Sequence, residues 1–218
     1  MSAIQALKRS PLYDTQKASG AVFRVEGGWE TVFQIGNAST AAQAVVADAS
    51  ACSKYLVRGR DSAEAMKKAG WQAPDVGSMK TGSPCILGVI PGEYLVLLPA
   101  GQESLIENVS TTGASVYDLT GAYAVITLSG PKAEETLRYL TTFDLHPSVF
   151  PKGSAAYTSI ALVRTLIARL EEEAFMLVVA ADYGAYFWET LLDAGTNCGI
   201  STGVARFSLL FGTDGGKD

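Results

Sequence analysis

The chain has 218 residues, enough for one large domain or two small ones, and its 48% apolar and 18% charged residues are the balance of a soluble globular protein. A net charge of −5 with a pI near 5.0 argues against a nucleic-acid partner, which needs a basic face. The longest apolar runs are strand-sized, and "MSAIQALKRS" lacks the charged leader and apolar stretch of a signal peptide, so neither a membrane span nor an export signal is expected.

In chain order, "ETVFQIG" reads as a strand. The alanine-rich "NASTAAQAVVADASA" reads as a helix capped at Asn37 or Ser39. Residues 57–83, "VRGRDSAEAMKKAGWQAPDVGSMKTGS", read as a strand end, a glycine hinge, a helix and a polar loop closing on Gly-Ser. "ILGVI-PGE-YLVLLPAG" follows as strand, tight turn and strand, and a helix is expected over 102–109. "ASVYDLTGAYAVITLSG" then supplies further strand residues.

Residues 128–154, "LSGPKAEETLRYLTTFDLHPSVFPKGS", repeat the same grammar 71 residues on. Gly59 falls on Gly130, Met66 on Leu137, Gly82 on Gly153 and Ser83 on Ser154 without a gap. Ala133, Leu137 and Leu140 share one helix face, as do Ser62, Met66 and Ala69. After about ten extra residues, "TLIARL-EEEA-FMLVVAAD" gives a second hairpin. It feeds a helix over 183–192 with Tyr183, Phe187 and Leu191 on one face. Each unit is strand–helix–hairpin–helix with a further strand supplied before or after, the order of a split β-α-β unit of ferredoxin-like type. The expected fold class is therefore α+β, with helices covering one face of each antiparallel sheet. Residues 1–218 read as a single domain of two pseudo-repeats, about 20–112 and 113–212, with a frayed tail at 213–218.

Chemistry-bearing residues are sparse. Cys52, Cys85 and Cys198 are odd in number and far apart, so they read as small apolar residues in a reducing cytoplasm rather than as disulfides. With no Cys-x-x-Cys pair and only His146 among histidines, no metal site is expected. His146 sits in the loop "DLHPSVFP", which suits a loop residue better than a catalytic base. No phosphate-binding loop is present. The run Glu171-Glu172-Glu173 reads as a solvated hairpin turn or a carboxylate offered to a ligand. Arg206, set in the apolar "TGVARFSLLFG", reads as a partner for an anion or a snorkelling surface residue. Phe187 and Trp188 read as core.

Several of these stretches resemble a known family. "SPLYDTQKASGAVFRVEGGWETVFQIG", "LSGPKAEETLRYLTTFDL" and "WETLLDAGTNCGISTGVAR" are similar, in order, to segments of the glycine-cleavage T-protein, a tetrahydrofolate-dependent aminomethyltransferase. The resemblance runs from about residue 10 to 212 and implies a T-protein-like folate-binding domain, with the sequence ending before that family's C-terminal barrel. "DLHPSVFPKGSAAYTSIALVRTLIARLEEEAFMLVV" and "YGAYFWETLLDAG" are more similar still to the gamma subunit of heterotetrameric sarcosine oxidase, a short relative. Carried over by motif, the family's aspartate falls on Ser83-Pro84-Cys85 and its asparagine on Pro99, so no catalytic residue is implied. Its pterin-contacting glutamate falls on Glu172 and the arginine of its "ARD" segment on Arg206, which makes these two the implied cofactor-binding residues. The resemblance thus implies a non-catalytic, gamma-like subunit with flavoprotein oxidase partners that carry the flavins and NAD. The alternative is a stand-alone tetrahydrofolate-binding or one-carbon-transfer protein.

Overall fold

Strands form in the computed structural model where β-branched and aromatic residues cluster, and helices where apolar residues recur at three to four; the structure describes residues 6–35, 41–110 and 113–212. The N-terminal elements are β1 (Lys8–Arg9), α1 (Tyr13–Ala18), β2 (Ala21–Glu26) and β3 (Trp29–Ile35). The first half continues with β4 (Ala44–Asp48), β5 (Cys52–Arg58), α2 (Ser62–Lys68), β6 (Met79–Lys80), β7 (Cys85–Ile90) and β8 (Glu93–Pro99). A 3-10 turn, Glu103–Ile106, leads into α3 (Glu107–Ser110), where one continuous helix was expected. The second half holds β9 (Ser115–Asp118), β10 (Tyr123–Ser129), α4 (Ala133–Arg138), β11 (Ala155–Ile160), β12 (Val163–Glu171) and β13 (Ala174–Ala180). It ends with α5 (Gly184–Ala194), β14 (Ile200–Gly203) and α6 (Ser208–Phe211).

A small sheet of order β1-β3-β2 precedes two larger ones. The six-stranded sheet runs β11-β12-β13-β10-β4-β14 and the five-stranded sheet β6-β7-β8-β5-β9. Side chains alternate across each strand, so the central strands of the two large sheets feed two cores. On β13, Phe175, Leu177 and Val179 face α4 and α5, where Leu137, Phe187, Trp188 and Leu191 are buried. Met176 and Val178 face the opposite way, onto Leu87, Leu95 and Leu97 of the five-stranded sheet. The outer face of that sheet, with Tyr55, Val57 and Val96, packs on Met66 of α2 and on Ile106 and Val109 near α3. The result is an α+β sandwich: helices, sheet, sheet, helices.

The strand missing from each unit comes from before it, and it joins the other unit's sheet. β4 precedes β5 yet pairs with β10; β9 precedes β10 yet pairs with β5. Both crossings use an Asp-x-Ser/Thr turn. The Ser50 N–H donates to Asp48 Oδ1 at 2.9 Å and the Thr120 N–H to Asp118 Oδ1 at 2.8 Å. The contacts onto the neighbouring strand match as well. The Ala49 N–H reaches the Val125 carbonyl and the Leu119 N–H the Lys54 carbonyl, each at 2.8 Å. The Ser50 Oγ accepts from the Val125 N–H at 3.0 Å and the Thr120 Oγ1 from the Lys54 N–H at 3.1 Å.

Two expectations change. The alanine-rich stretch is strand from Ala44 to Asp48, not helix, because β4 is held between β10 and β14 and small side chains suit that buried position. Its expected caps, Asn37 and Ser39, lie outside the described residues, as does the tail at 213–218. Tyr183 belongs to a 3-10 turn before α5 and is 51% exposed, while Phe187 and Leu191 are buried as expected. The three cysteines are free and buried.

Candidate functional site

Glu172 stands in the tight turn between β12 and β13, exposed with its two acidic neighbours, as an acidic run between apolar strands requires. The turn is held from beneath. Arg169, 1% exposed, donates from Nη1 to the Glu172 carbonyl at 2.5 Å and from Nη2 to Glu134 Oε2 at 3.0 Å and to the Leu145 carbonyl. Its guanidinium also lies 4.5 Å from the Phe175 ring. The Gly130 N–H donates to the Glu173 carbonyl at 2.8 Å, which ties the turn to the second hinge glycine. The Glu172 side chain lines a surface hollow of about 370 Å³ with Glu134, Glu135, Arg138 and Glu173.

Arg206 lies in the loop between β14 and α6, exposed, with Nη2 donating to Ser129 Oγ at 3.3 Å. Ser129 pairs with Ala174, the first residue of β13, so Glu172 and Arg206 approach the same end of β10. They do not share a cavity: the hollow at Glu172 is not lined by Arg206. Ser83 donates from Oγ to Gln102 Oε1 at 2.5 Å, and the adjacent Gly82 N–H donates to the Leu210 carbonyl of α6 at 3.0 Å.

The Cys52 and Cys85 thiols are masked by burial. Burial pushes the Cys85 and Cys52 thiols up, so both stay protonated and non-nucleophilic near neutrality. His146 is exposed and its Nδ1 sits 2.7 Å from Ser148 Oγ. Among the described residues, no group of three or more His, Cys, Asp or Glu side chains converges as a metal site would need. The hollow's carboxylates are those of Glu134, Glu135, Glu172 and Glu173, of which Glu134 is paired with Arg169 and Glu135 with Lys132.

Two buried cations escaped the sequence reading. Arg169 is one; its signal is an arginine inside the apolar run "TLIARL". Lys54 is the other, at 0% exposure, in the similarly apolar "CSKYLV". Its Nζ donates to the carbonyls of Ser50 at 2.8 Å, Cys52 at 2.9 Å and Thr120 at 3.3 Å, and so bridges both crossings. Burial pushes the Lys54 pKa down, against the upward pull of Cys52, Asp48 and Asp118. Burial likewise pushes the Asp48 carboxyl up, against hydrogen bonds from Ser10 and Ser50 that lower it.

Two large sheets that exchange a strand and carry helices on both outer faces define the class of the protein, an α+β sandwich. Residues 94–210 match the GCVT N-terminal domain, and the chain belongs to that family. It is 32% identical over 112 residues to the sarcosine oxidase gamma subunit of Corynebacterium sp. (strain P-1), covering 50% of this chain and 55% of that protein. It is 27% identical over 238 residues to the aminomethyltransferase of Geobacillus kaustophilus, covering 94% of this chain and 64% of that protein. The chain therefore spans less than two thirds of the length of these relatives. A solved chain of the heterotetrameric sarcosine oxidase from Corynebacterium sp. U-96 shares the fold, with a TM-score of 0.68 and 23% identity over 91% of this chain and 99% of that one.

Proposed function

We propose that this protein is a gamma-type, non-catalytic subunit of a sarcosine-oxidising flavoprotein complex. The observation that carries the proposal is the 32% identity to a sarcosine oxidase gamma subunit, against 27% to an aminomethyltransferase. The site supports it. Where the T-protein resemblance puts an aspartate, this chain has Ser83, Pro84 and the buried Cys85, none of which supplies a carboxylate. Loss of a positioned acid or base removes roughly 10²–10⁴-fold of proton-transfer catalysis. The protein's work is then assembly, with flavins and NAD carried by partner subunits in a reducing cytoplasm. Among the described residues no helix is long and apolar enough to cross a membrane. Co-purification from the native host tests this. A tagged chain is expected to bring down a flavoprotein with sarcosine-dependent oxygen consumption; elution of the chain alone, without flavin absorbance, refutes it.

Tetrahydrofolate is the ligand of the second reading. Arg206 lies outside the hollow at Glu172, whose other charged lining residues are Glu134, Glu135, Arg138 and Glu173; Glu134 is paired with Arg169 and Arg138, and Glu135 with Lys132. The observation in favour is Glu172 itself, exposed in the turn and lining the hollow. Calorimetry with tetrahydrofolate separates the readings. No heat at high micromolar ligand is expected of the non-catalytic subunit, whereas a heat that Glu172→Gln diminishes establishes the folate-binding protein.

A further inference from the structure

A cleft of about 360 Å³ opens between the two large sheets, at the end of β10 remote from Arg206. Tyr123, the first residue of β10, lines the cleft, whereas Ser129, its last, meets Arg206. At about 3.3 Å per residue the two places are roughly 20 Å apart. The volume lies within the roughly 300–1,000 Å³ range of small-molecule sites.

Its floor is apolar: Leu166 and Val178 on the six-stranded sheet face Leu56 and Leu95 on the five-stranded sheet. Its rim is not. Arg164 stands two residues before Leu166 on β12, so strand alternation puts it on the same, cleft-facing side. Its guanidinium lies 4.1 Å from the centre of the Tyr157 ring, and no carboxylate among the described residues pairs with it. Across the cleft, Glu93 is engaged by Arg58 at 2.8 Å. The rim thus carries one uncommitted cation and no uncommitted anion. Tyr123, Tyr157 and Tyr183 add phenol O–H groups at the same mouth. Burial pushes the Tyr157 phenol up, which keeps it a donor.

We propose that this inter-sheet cleft binds a small monocarboxylate with an apolar body, its carboxylate on the Arg164 guanidinium and the tyrosine hydroxyls and its body against Leu166, Val178 and Leu95. A strongly hydrated dianion gains nothing from such a floor. A neutral amphiphile leaves the guanidinium unused. The proposal is independent of the gamma-subunit reading, since co-purification and cleft binding succeed or fail separately.

The test uses the full chain, with octanoate as probe and octanol as its uncharged counterpart, both followed by saturation-transfer NMR and by the ring-proton shifts of the tyrosines. Octanoate is expected to bind about tenfold more tightly than octanol, the worth of one charge-assisted contact. Tyrosine ring signals are expected to move on titration. Arg164→Gln, an exposed position, is expected to abolish the preference and leave octanol binding unchanged. If that variant fails to fold by circular dichroism, Arg164→Lys takes its place and is expected to reduce the preference without removing it, because an ammonium lacks the planar fork. No octanoate binding at low millimolar concentration overturns the proposal. So does a preference that survives intact in the folded Arg164 variant, or octanoate binding that leaves every tyrosine ring unmoved.

Discussion

Arg169→Met is the substitution that best tests how the Glu172 turn is held. The guanidinium is 1% exposed and makes a 2.5 Å bond to the Glu172 carbonyl, a bond to the Leu145 carbonyl and a 3.0 Å ion pair with Glu134. Breaking a buried ion pair from one side costs roughly 3–5 kcal/mol, most of it the stranded partner. Here the partner is not fully stranded: Glu134 is 25% exposed and also pairs with Arg138 at 2.7 Å. Methionine keeps the contact with Phe175, whose ring lies 4.5 Å from the guanidinium, so little packing is lost. The expected loss is therefore at the lower end, about 3 kcal/mol, and it comes mainly from the abandoned Leu145 and Glu172 carbonyls. Urea denaturation of the full chain measures it as a lowered midpoint at unchanged slope. Arg169→Lys is expected to lose about half as much, because one ammonium cannot serve three acceptors in a plane. Arg169 Nε has no partner among the described residues, so desolvation already weighs against the wild type. A methionine variant within about 0.5 kcal/mol of wild type, or more stable, would show that this cost cancels the bonds and would refute the reasoning.

The hinge glycines are not equivalent under substitution. At Gly59 (φ 143°) a Cβ meets nothing within 4 Å, whereas at Gly130 (φ 118°) it meets the Gln43 carbonyl oxygen at 2.6 Å. Alanine should cost about 1 kcal/mol of backbone strain at Gly59 and clearly more at Gly130, and equal losses in thermal denaturation would contradict the contact geometry. The turn between β11 and β12 places Ala161 and Leu162 at positive φ, 50° and 63°, with Leu162 94% exposed. Leu162→Gly is expected to stabilise the chain by about 1 kcal/mol in urea melts, and a loss would mean the side chain is held by something other than solvent. The lowered pKa of Lys54 means the native chain binds fewer protons than the unfolded chain between its folded value and the ordinary lysine value of 10.5. Stability should therefore rise with pH across that window. Lys54→Met should flatten the rise; parallel slopes in both proteins as pH approaches 10.5 from below would exclude Lys54 as its source.

What the sequence disclosed was local. The hinge glycines, both hairpins and the faces of α2 and α4 follow from spacing and turn residues that act within a few positions. The alanine-rich stretch misled for the same reason. Alanine favours helix in isolation, and only the pairing of β4 with β10, some 80 residues away, makes it strand. Arg169 and Lys54 were equally invisible, because a cation in an apolar run looks like a snorkelling residue until its acceptors are known. Those acceptors, Leu145 and Thr120, come from distant loops. Glu172 and Arg206 could be named from motif order, but not the fact that the hollow at Glu172 leaves Arg206 out, which depends on where the β14–α6 loop crosses the end of β10.

The strand exchange explains why Lys54 is buried at all. Each crossing turns sharply out of one sheet into the other, and such a turn leaves main-chain carbonyls pointing inward with no strand N–H to donate to them. In the second half the position matching Lys54 is Val125, which packs between the sheets with Met176 and Leu166. A valine there can serve only the packing. The ammonium of Lys54 supplies three donors, and it places them on carbonyls of both crossings, Ser50 and Cys52 on one side and Thr120 on the other. The strand-exchanged scaffold thus uses its two matched positions for two different needs, apolar filling and carbonyl satisfaction. A second lysine at Val125 would add a like charge to the same buried space. The departure from symmetry at this pair follows from the geometry of the exchange, because both crossings converge on carbonyls that one cation can satisfy.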